Sequence, residues 1–206
     1  MPLLEPVVLR GPTVTLRPLA PDDAAALTAA ASQSRQLFEF TRVPDGVDEA
    51  REYIADALAE RETRGRLPFV TLWREQVVGS TSYLNAERWR WPGGSSMQRT
   101  DRPDVVEIGA TWLSASAQRT RCNTEAKLLM LAHAFDVWQV HRVTLKTDAR
   151  NVQSRRAIER LGTRFEGVRR AEMPAQDGTV RDSAYYSIVR AEWPEVRKRL
   201  DAALAR

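Results

Sequence analysis

Apolar and polar positions alternate over Thr13–Leu19 (TVTLRPL), and with its β-branched residues this stretch predicts a first strand. Pro21-Asp22-Asp23 then gives a helix start ahead of an alanine-rich run. From Asp48 onward, Ala50, Tyr53, Ile54, Ala57 and Leu58 recur at helical spacing, and Gly65 stops the pattern. Leu67–Trp73 and Gln76–Leu84 are rich in β-branched and aromatic residues and are separated by Arg74-Glu75, which predicts a hairpin. Asn85–Asp104 has no sustained period and holds two glycines and two prolines, a loop of a length that is often functional or mobile. Val105–Leu113 predicts a strand, followed by a polar turn and a helix with Leu128, Leu131, Ala132, Phe135 and Trp138 on one face. His141–Thr147 is a further strand, and the helix Asn151–Leu161 ends at Gly162. RFEGVRRAEM and DSAYYSIVR predict two more strands joined around Asp177-Gly178, before a last helix from Glu192-Trp193-Pro194. With no internal repeat or linker, the expectation is one mixed α/β domain over residues 1–206.

Composition narrows the function classes. At 206 residues and 43% hydrophobic, the chain can bury a substantial core, which excludes disorder as its main state. Its apolar runs fall short of the roughly 20 residues of a membrane span, and MPLLEPVVLRGPTVTLRPL lacks the regions of a signal peptide, so a soluble, cytoplasmic protein is expected. The lone Cys122 excludes an intrachain disulfide, and with His133 and His141 as the only histidines no zinc set and no metal is expected. The net charge of +4 leaves nucleic acid, a membrane surface or a phosphorylated small molecule open. Its distribution points to the last, because Ser114–Arg170 holds twelve basic against five acidic residues while the remainder is slightly acidic. Nucleic acid is further disfavoured by the lack of any recognition motif.

The chemistry concentrates between Val105 and Gly167. A strand feeding a turn at a helix N-terminus forms an anion site, since unpaired N–H groups and the macrodipole both favour phosphate. Gln118–Glu125 (QRTRCNTE) has that layout, with Arg119, Thr120, Arg121 and Thr124 as added donors. An ordinary N-capped helix with solvated arginines fits the same spacing. One strand later Asn151 begins a helix, with Ser154 one turn along and Arg155 and Arg156 beside it, and Asn151 is most simply an N-cap.

The order EIGATWL, QRTRCNTEAKLL, NVQSRRAIERLGTRFEG and DSAYYSIVRAEWP resembles the Gcn5-related N-acetyltransferase (GNAT) superfamily, in its RimJ/RimL-like branch, over nearly the whole chain. The resemblance implies a mixed, mostly antiparallel sheet of six to seven strands, flanked by helices, with a central parallel pair splayed into a V. It implies acetyl-coenzyme A as cosubstrate: pantetheine beside Thr111, Trp112 and Leu113, pyrophosphate on Arg119, Thr120, Arg121, Cys122, Asn123 and Thr124, and further contacts from Asn151 and Arg156. It implies Glu107 as the base that removes the amine proton, commonly through water, although a structural strand carboxylate is an equal reading. Ser154 would protonate the departing thiolate, because the position at which many relatives carry a Tyr acid is Ile158 here. Arg121 and Asn123 stand where the family's turn usually has glycine, which leaves a non-catalytic acyl-coenzyme A-binding module as the alternative. Cys122 has no His or acid beside it in sequence that would make it a nucleophile. The acceptor would be a primary amine, either a protein N-terminus or a small molecule, and such folds often dimerise through late strands or the loop edge. Trp89, Trp91, Phe38 and Phe40 are candidates to wall its cleft, and Tyr185 and Tyr186 should point to opposite sheet faces.

Overall fold

The computed structural model describes residues 4–205; residues 1–3 and 206 of the expected domain lie outside them. In chain order the strands are β1 (Leu9–Arg10), β2 (Val14–Pro18), β3 (Leu67–Trp73), β4 (Gln76–Glu87), β5 (Val105–Leu113), β6 (Arg142–Asp148), β7 (Arg164–Pro174) and β8 (Val180–Val189). The helices are α1 (Ala24–Ala31), α2 (Val47–Arg64), α3 (Cys122–Ala132), α4 (Val152–Arg160) and α5 (Trp193–Leu204). All eight strands join one sheet in the order β1-β2-β3-β4-β5-β6-β8-β7. Every pairing is antiparallel except β5 with β6. The expected six to seven strands become eight because β1, only two residues long, pairs Leu9 with Leu16 and Arg10 with Thr15.

Both faces follow from strand alternation. Val106 and Ile108 of β5, Val143 and Leu145 of β6, and Tyr186 and Ile188 of β8 share one buried cluster with Met130, Leu131, Phe135 and Trp193 from the α3 and α5 side. The opposite face is covered over β3 to β5 by α1 and α2, where Leu27, Tyr53 and Ile54 pack on Val70 and Trp112. Farther along that face, β6 and β8 carry Thr144, Lys146, Tyr185 and Ser187 in place of an apolar layer. The two tyrosines divide as expected, with Tyr186 fully buried and Tyr185 only partly so on the polar face.

Two local distortions shape the centre of the sheet. The parallel register of β5 and β6 runs only from Val105↔Arg142 to Glu107↔Thr144, so the strands part beyond Glu107. On the other side of β5, Ser80 pairs with Trp112 and Ser82 with Gly109, so Thr81 alone faces both Ala110 and Thr111. This is a β-bulge, and Ala110 adopts φ 47° to make it. Gly79 accommodates the bulged strand closely, since a Cβ there would lie 2.1 Å from the Trp112 carbonyl oxygen.

Candidate functional site

Three elements converge where β5 and β6 separate. The first is the turn between β5 and α3. Arg119 takes φ 58°, and Arg121 is the residue that caps α3. The amide of Cys122 donates to the Thr120 hydroxyl at 3.1 Å, and that hydroxyl donates to the Ala117 carbonyl at 2.7 Å. Among the described residues, the amides of Arg119, Thr120, Arg121, Asn123 and Thr124 meet no acceptor. Five unspent N–H groups at the start of an 11-residue helix fit a pyrophosphate. Cys122 differs from the sequence reading, because its amide is engaged and its side chain is fully buried, with burial pushing the thiol up to about 12. The Arg121 guanidinium donates to the carbonyl of Leu204, the last residue of α5, at 2.8 Å, which draws it toward α5. Arg119 remains exposed there.

The second element is the start of α4. Asn151 Oδ1 accepts the Ser154 amide at 2.9 Å, the N-cap that an Asn at this place predicts. The Asn151 backbone amide donates to the Asp148 carbonyl at 2.9 Å, and among the described residues the Asn151 side-chain Nδ2 and the Ser154 hydroxyl have no partners. Arg156 is exposed and lines a shallow surface depression with Glu159, Arg160 and Arg199. Ile158 turns into the core, as its side chain dictates.

The third element is the polar face of β5, β6, β7 and β8. Glu107, 6% exposed, accepts from Asn85 Nδ2 at 2.9 Å and lies 3.7 Å from Lys146 Nζ. Lys146 also reaches Glu172 at 3.3 Å and the Tyr185 hydroxyl at 3.5 Å, and Tyr185 donates to Glu172. Burial pushes the Glu107 carboxyl up, Lys146 and Asn85 pull it down, and Glu172 adds a further upward push; the net result is raised. Glu172 is net lowered, since hydrogen bonds from Ser183 and Tyr185 together with Lys146 outweigh its desolvation. Lys146 remains a firm cation, because its carboxylates and Tyr185 overcome the effect of burial. A carboxylate shifted upward in this way is a stronger base than an ordinary one and so better suited to accept a proton.

Sequence reasoning missed Lys146, Glu172 and Asn85, which come together only through strand register. It also missed Lys127, 4% exposed on α3, whose amine donates to the hydroxyls of Thr81 at 3.0 Å and Thr111 at 2.6 Å, on the two strands of the bulge. Burial lowers this amine to about 7. One trace was visible in the sequence: only three of the 31 basic residues are lysine, and the two inside the molecule both touch β5. Of the other residues read as site candidates, Thr111 is tied to Lys127, while Trp112 turns its ring away from the gap onto Phe38, centroids 5.8 Å apart. Beyond Glu107, the β5 edge that includes Thr111, Trp112 and Leu113 has no partner strand on the β6 side. Phe40 packs under the Arg150 guanidinium at 5.3 Å, and Trp89 and Trp91 gather on His141. Among the described residues, no group of His, Cys, Asp and Glu could hold a metal ion, and no helix is long and apolar enough to cross a membrane.

A family model described as an acetyltransferase (GNAT) domain matches residues 13–164. Among solved structures, a GCN5-related N-acetyltransferase from Brucella melitensis is 27% identical over 98% of this chain and 86% of its own, with a TM-score of 0.79. Mycobacterium smegmatis RimJ, solved in complex with CoA-disulfide, is 26% identical over 96% of this chain and 93% of its own, with a TM-score of 0.74. The microcin C7 self-immunity acetyltransferase MccE, solved with acetyl-CoA and AMP, shares the fold at 18% identity and TM-score 0.70, over 87% of this chain and 93% of its own. No curated protein matches the chain.

Proposed function

The chain belongs to the GNAT family of acetyltransferases, and from that premise we propose that it moves the acetyl group of acetyl-CoA directly to a primary amine, a protein N-terminus or a small molecule. The observation that carries the reading is the opening of β5 from β6 immediately after Glu107, with the free amides of Arg119, Thr120, Arg121, Asn123 and Thr124 and the Ser154 hydroxyl, free among the described residues, beyond it. Acetyl-CoA supplies the activated thioester. The turn amides and Arg119 hold its pyrophosphate, the unpaired edge of Thr111–Leu113 receives pantetheine, and Asn151 and Arg156 add polar contacts. Glu107 takes the proton from the attacking amine, directly or through water, as the carbon–nitrogen bond forms. Ser154 gives its proton to the sulfur as the carbon–sulfur bond breaks. The bound CoA of M. smegmatis RimJ supports the coenzyme assignment.

The proposed unit is one domain over residues 1–206, acting in the cytoplasm, in keeping with a lone buried thiol and no disulfide. The test is thermal stabilisation by acetyl-CoA together with thiol release on a panel of free peptides and amines. Stabilisation with thiol release is expected. Stabilisation with a silent panel would instead favour the non-catalytic acyl-CoA-binding module suggested by Arg121 and Asn123.

A further inference from the structure

The end of the sheet opposite the coenzyme turn carries an unexplained concentration of positive charge. Three segments meet there: the loop 88–104, the turn that enters β6, and the end of β8. The His141 amide donates to the Asp104 carbonyl at 2.7 Å, the Arg190 amide to the His141 carbonyl at 3.0 Å, and Arg99 Nη1 to the Gln139 carbonyl at 2.7 Å. These bonds bring the side chains of Arg99, Arg102 and Arg190 around one turn. Consistent with that, Arg190 is held below its usual value by burial and then by Arg99 and Arg102. His141 is lowered by burial and Arg99, with Asp104 opposing and Arg190 adding to the shift.

Asp101, ion-paired with Arg102 at 3.5 Å, and Asp104, 3.5 Å from His141 Nε2, offset part of this charge but not all of it. Asp104 is fully buried and spends its oxygens on the Trp89 amide at 2.7 Å and the Trp91 indole N–H at 3.3 Å. Asp101 lies 3.5 Å from Arg102 Nε without hydrogen-bonding it, and that nitrogen and Arg142 Nε are buried without an acceptor. Arginines elsewhere sit on carboxylates, such as Arg17 on Asp23, Arg42 on Asp56 and Arg150 on Asp148 and Asp177. At the same turn three rings pack together: His141 stacks on Trp89 at 5.6 Å and 9°, with Trp91 edge-on at 5.6 Å.

The position of the patch identifies its partner. Asp104 precedes Glu107 by three residues of extended chain, so the patch lies about 10 Å from the base along β5. An acceptor amine at Glu107, with coenzyme filling the gap from the other end, sends the following chain toward this turn. At about 3.3 Å per residue, the third to fifth residues of an extended peptide arrive over it. Arg99 and Arg102 stand three residues apart on the loop and Arg190 follows β8, so two backbone segments carry the charge, which suits several carboxylates along a chain better than a single phosphate. We propose that Arg99, Arg102 and Arg190 form the docking surface for an acidic stretch three to five residues behind the N-terminal amine of an acceptor polypeptide. The inference rests on acetyl transfer at Glu107.

The test uses three peptides alike in their first two residues, with Asp/Glu, Ser/Gln or Lys at positions three to five, and a small amine as control. Binding is followed by indole fluorescence and turnover by thiol release. The acidic peptide should bind and react at least tenfold better than the neutral one and lose that advantage at high salt. Arg99→Gln with Arg102→Gln should erase the preference while leaving the small amine unaffected, and Arg190→Gln alone should reduce it. Equal binding of acidic and neutral peptides overturns the docking surface even if the small amine is acetylated. Competition by inorganic phosphate or a nucleoside monophosphate, with no effect from the acidic peptide, overturns it in favour of a phosphate site. Selective binding of the acidic peptide without any acetylation leaves the surface intact and removes the transferase reading instead.

Discussion

Lys127 Nζ has two threonine hydroxyls for partners and, among the described residues, no carboxylate in contact, so burying its charge is costly. The native amine titrates at about 7 against an ordinary value of 10.5, so between those values the unfolded chain binds the extra proton. The resulting destabilisation is fully present below pH 7 and is lost as pH rises toward 10.5. Lys127→Met should therefore stabilise the fold by a few kcal/mol, on the order given by 1.36 kcal/mol per pKa unit, at pH 6.5, and by much less at pH 9.5. Denaturant melts at the two pH values check it, and a pH-independent difference would remove the buried-amine account. Ser154→Ala should lower kcat about 100-fold, the scale of a lost general acid, with coenzyme affinity changed less than about twofold. Equal losses in both would make Ser154 a binding residue. The positions of Glu107 on β5 and of Ser154 behind the Asn151 cap were legible because each lies within one local segment. Lys127 was not, because its environment is set by Thr81 and Thr111 on strands far away in sequence.

Among elements, the opening of β5 from β6 matters most, and its chemistry depends on what β6, β7 and β8 place opposite Glu107. Lys146 draws the Glu107 carboxyl down against burial and Glu172, with Asn85 assisting. Removing that cation in Lys146→Met should raise the Glu107 value, so the acidic limb of the kcat/KM profile should move up by about one pH unit. An unmoved limb would mean that Glu107 is not the titrating base. Gly79 supports the same region, and Gly79→Ala should cost about 2–4 kcal/mol because its Cβ would collide with the Trp112 carbonyl. The element boundaries show what a sequence holds locally. β5 spans Val105–Leu113 as its apolar run predicts, and the hairpin turn is confirmed by positive φ at Arg74 and Glu75. β4 runs on to Glu87, into the stretch expected to be loop, because Glu87 pairs with Val105 across an irregular register. α3 starts at Cys122 and passes into a π turn over His133–Val137, so that Phe135, expected on one face of a regular helix, lies within that turn and Trp138 just beyond it. The bulge and the end of the β5–β6 register are properties of strand pairs, and no single segment announces them.

At the scale of the molecule, the basic residues between Ser114 and Arg170 are dispersed: Arg119 and Arg121 lie on the turn before α3, Arg155, Arg156 and Arg160 on α4, and the others on α3, β6, β7 and the loop before α4. The arginines of the loop 88–104 and the end of β8 lie outside that segment and mark the acceptor end. The central claim is that the gap between β5 and β6 brings a thioester to an amine beside Glu107. Incubating the protein with acetyl-CoA and an acidic peptide bearing a free N-terminus, with product mass and released thiol followed together, tests it most directly. One acetyl group should appear on the α-amine for each thiol released, at a rate cut about 100-fold in Ser154→Ala. Coenzyme that stabilises the fold while no peptide or small amine gains an acetyl group would contradict it.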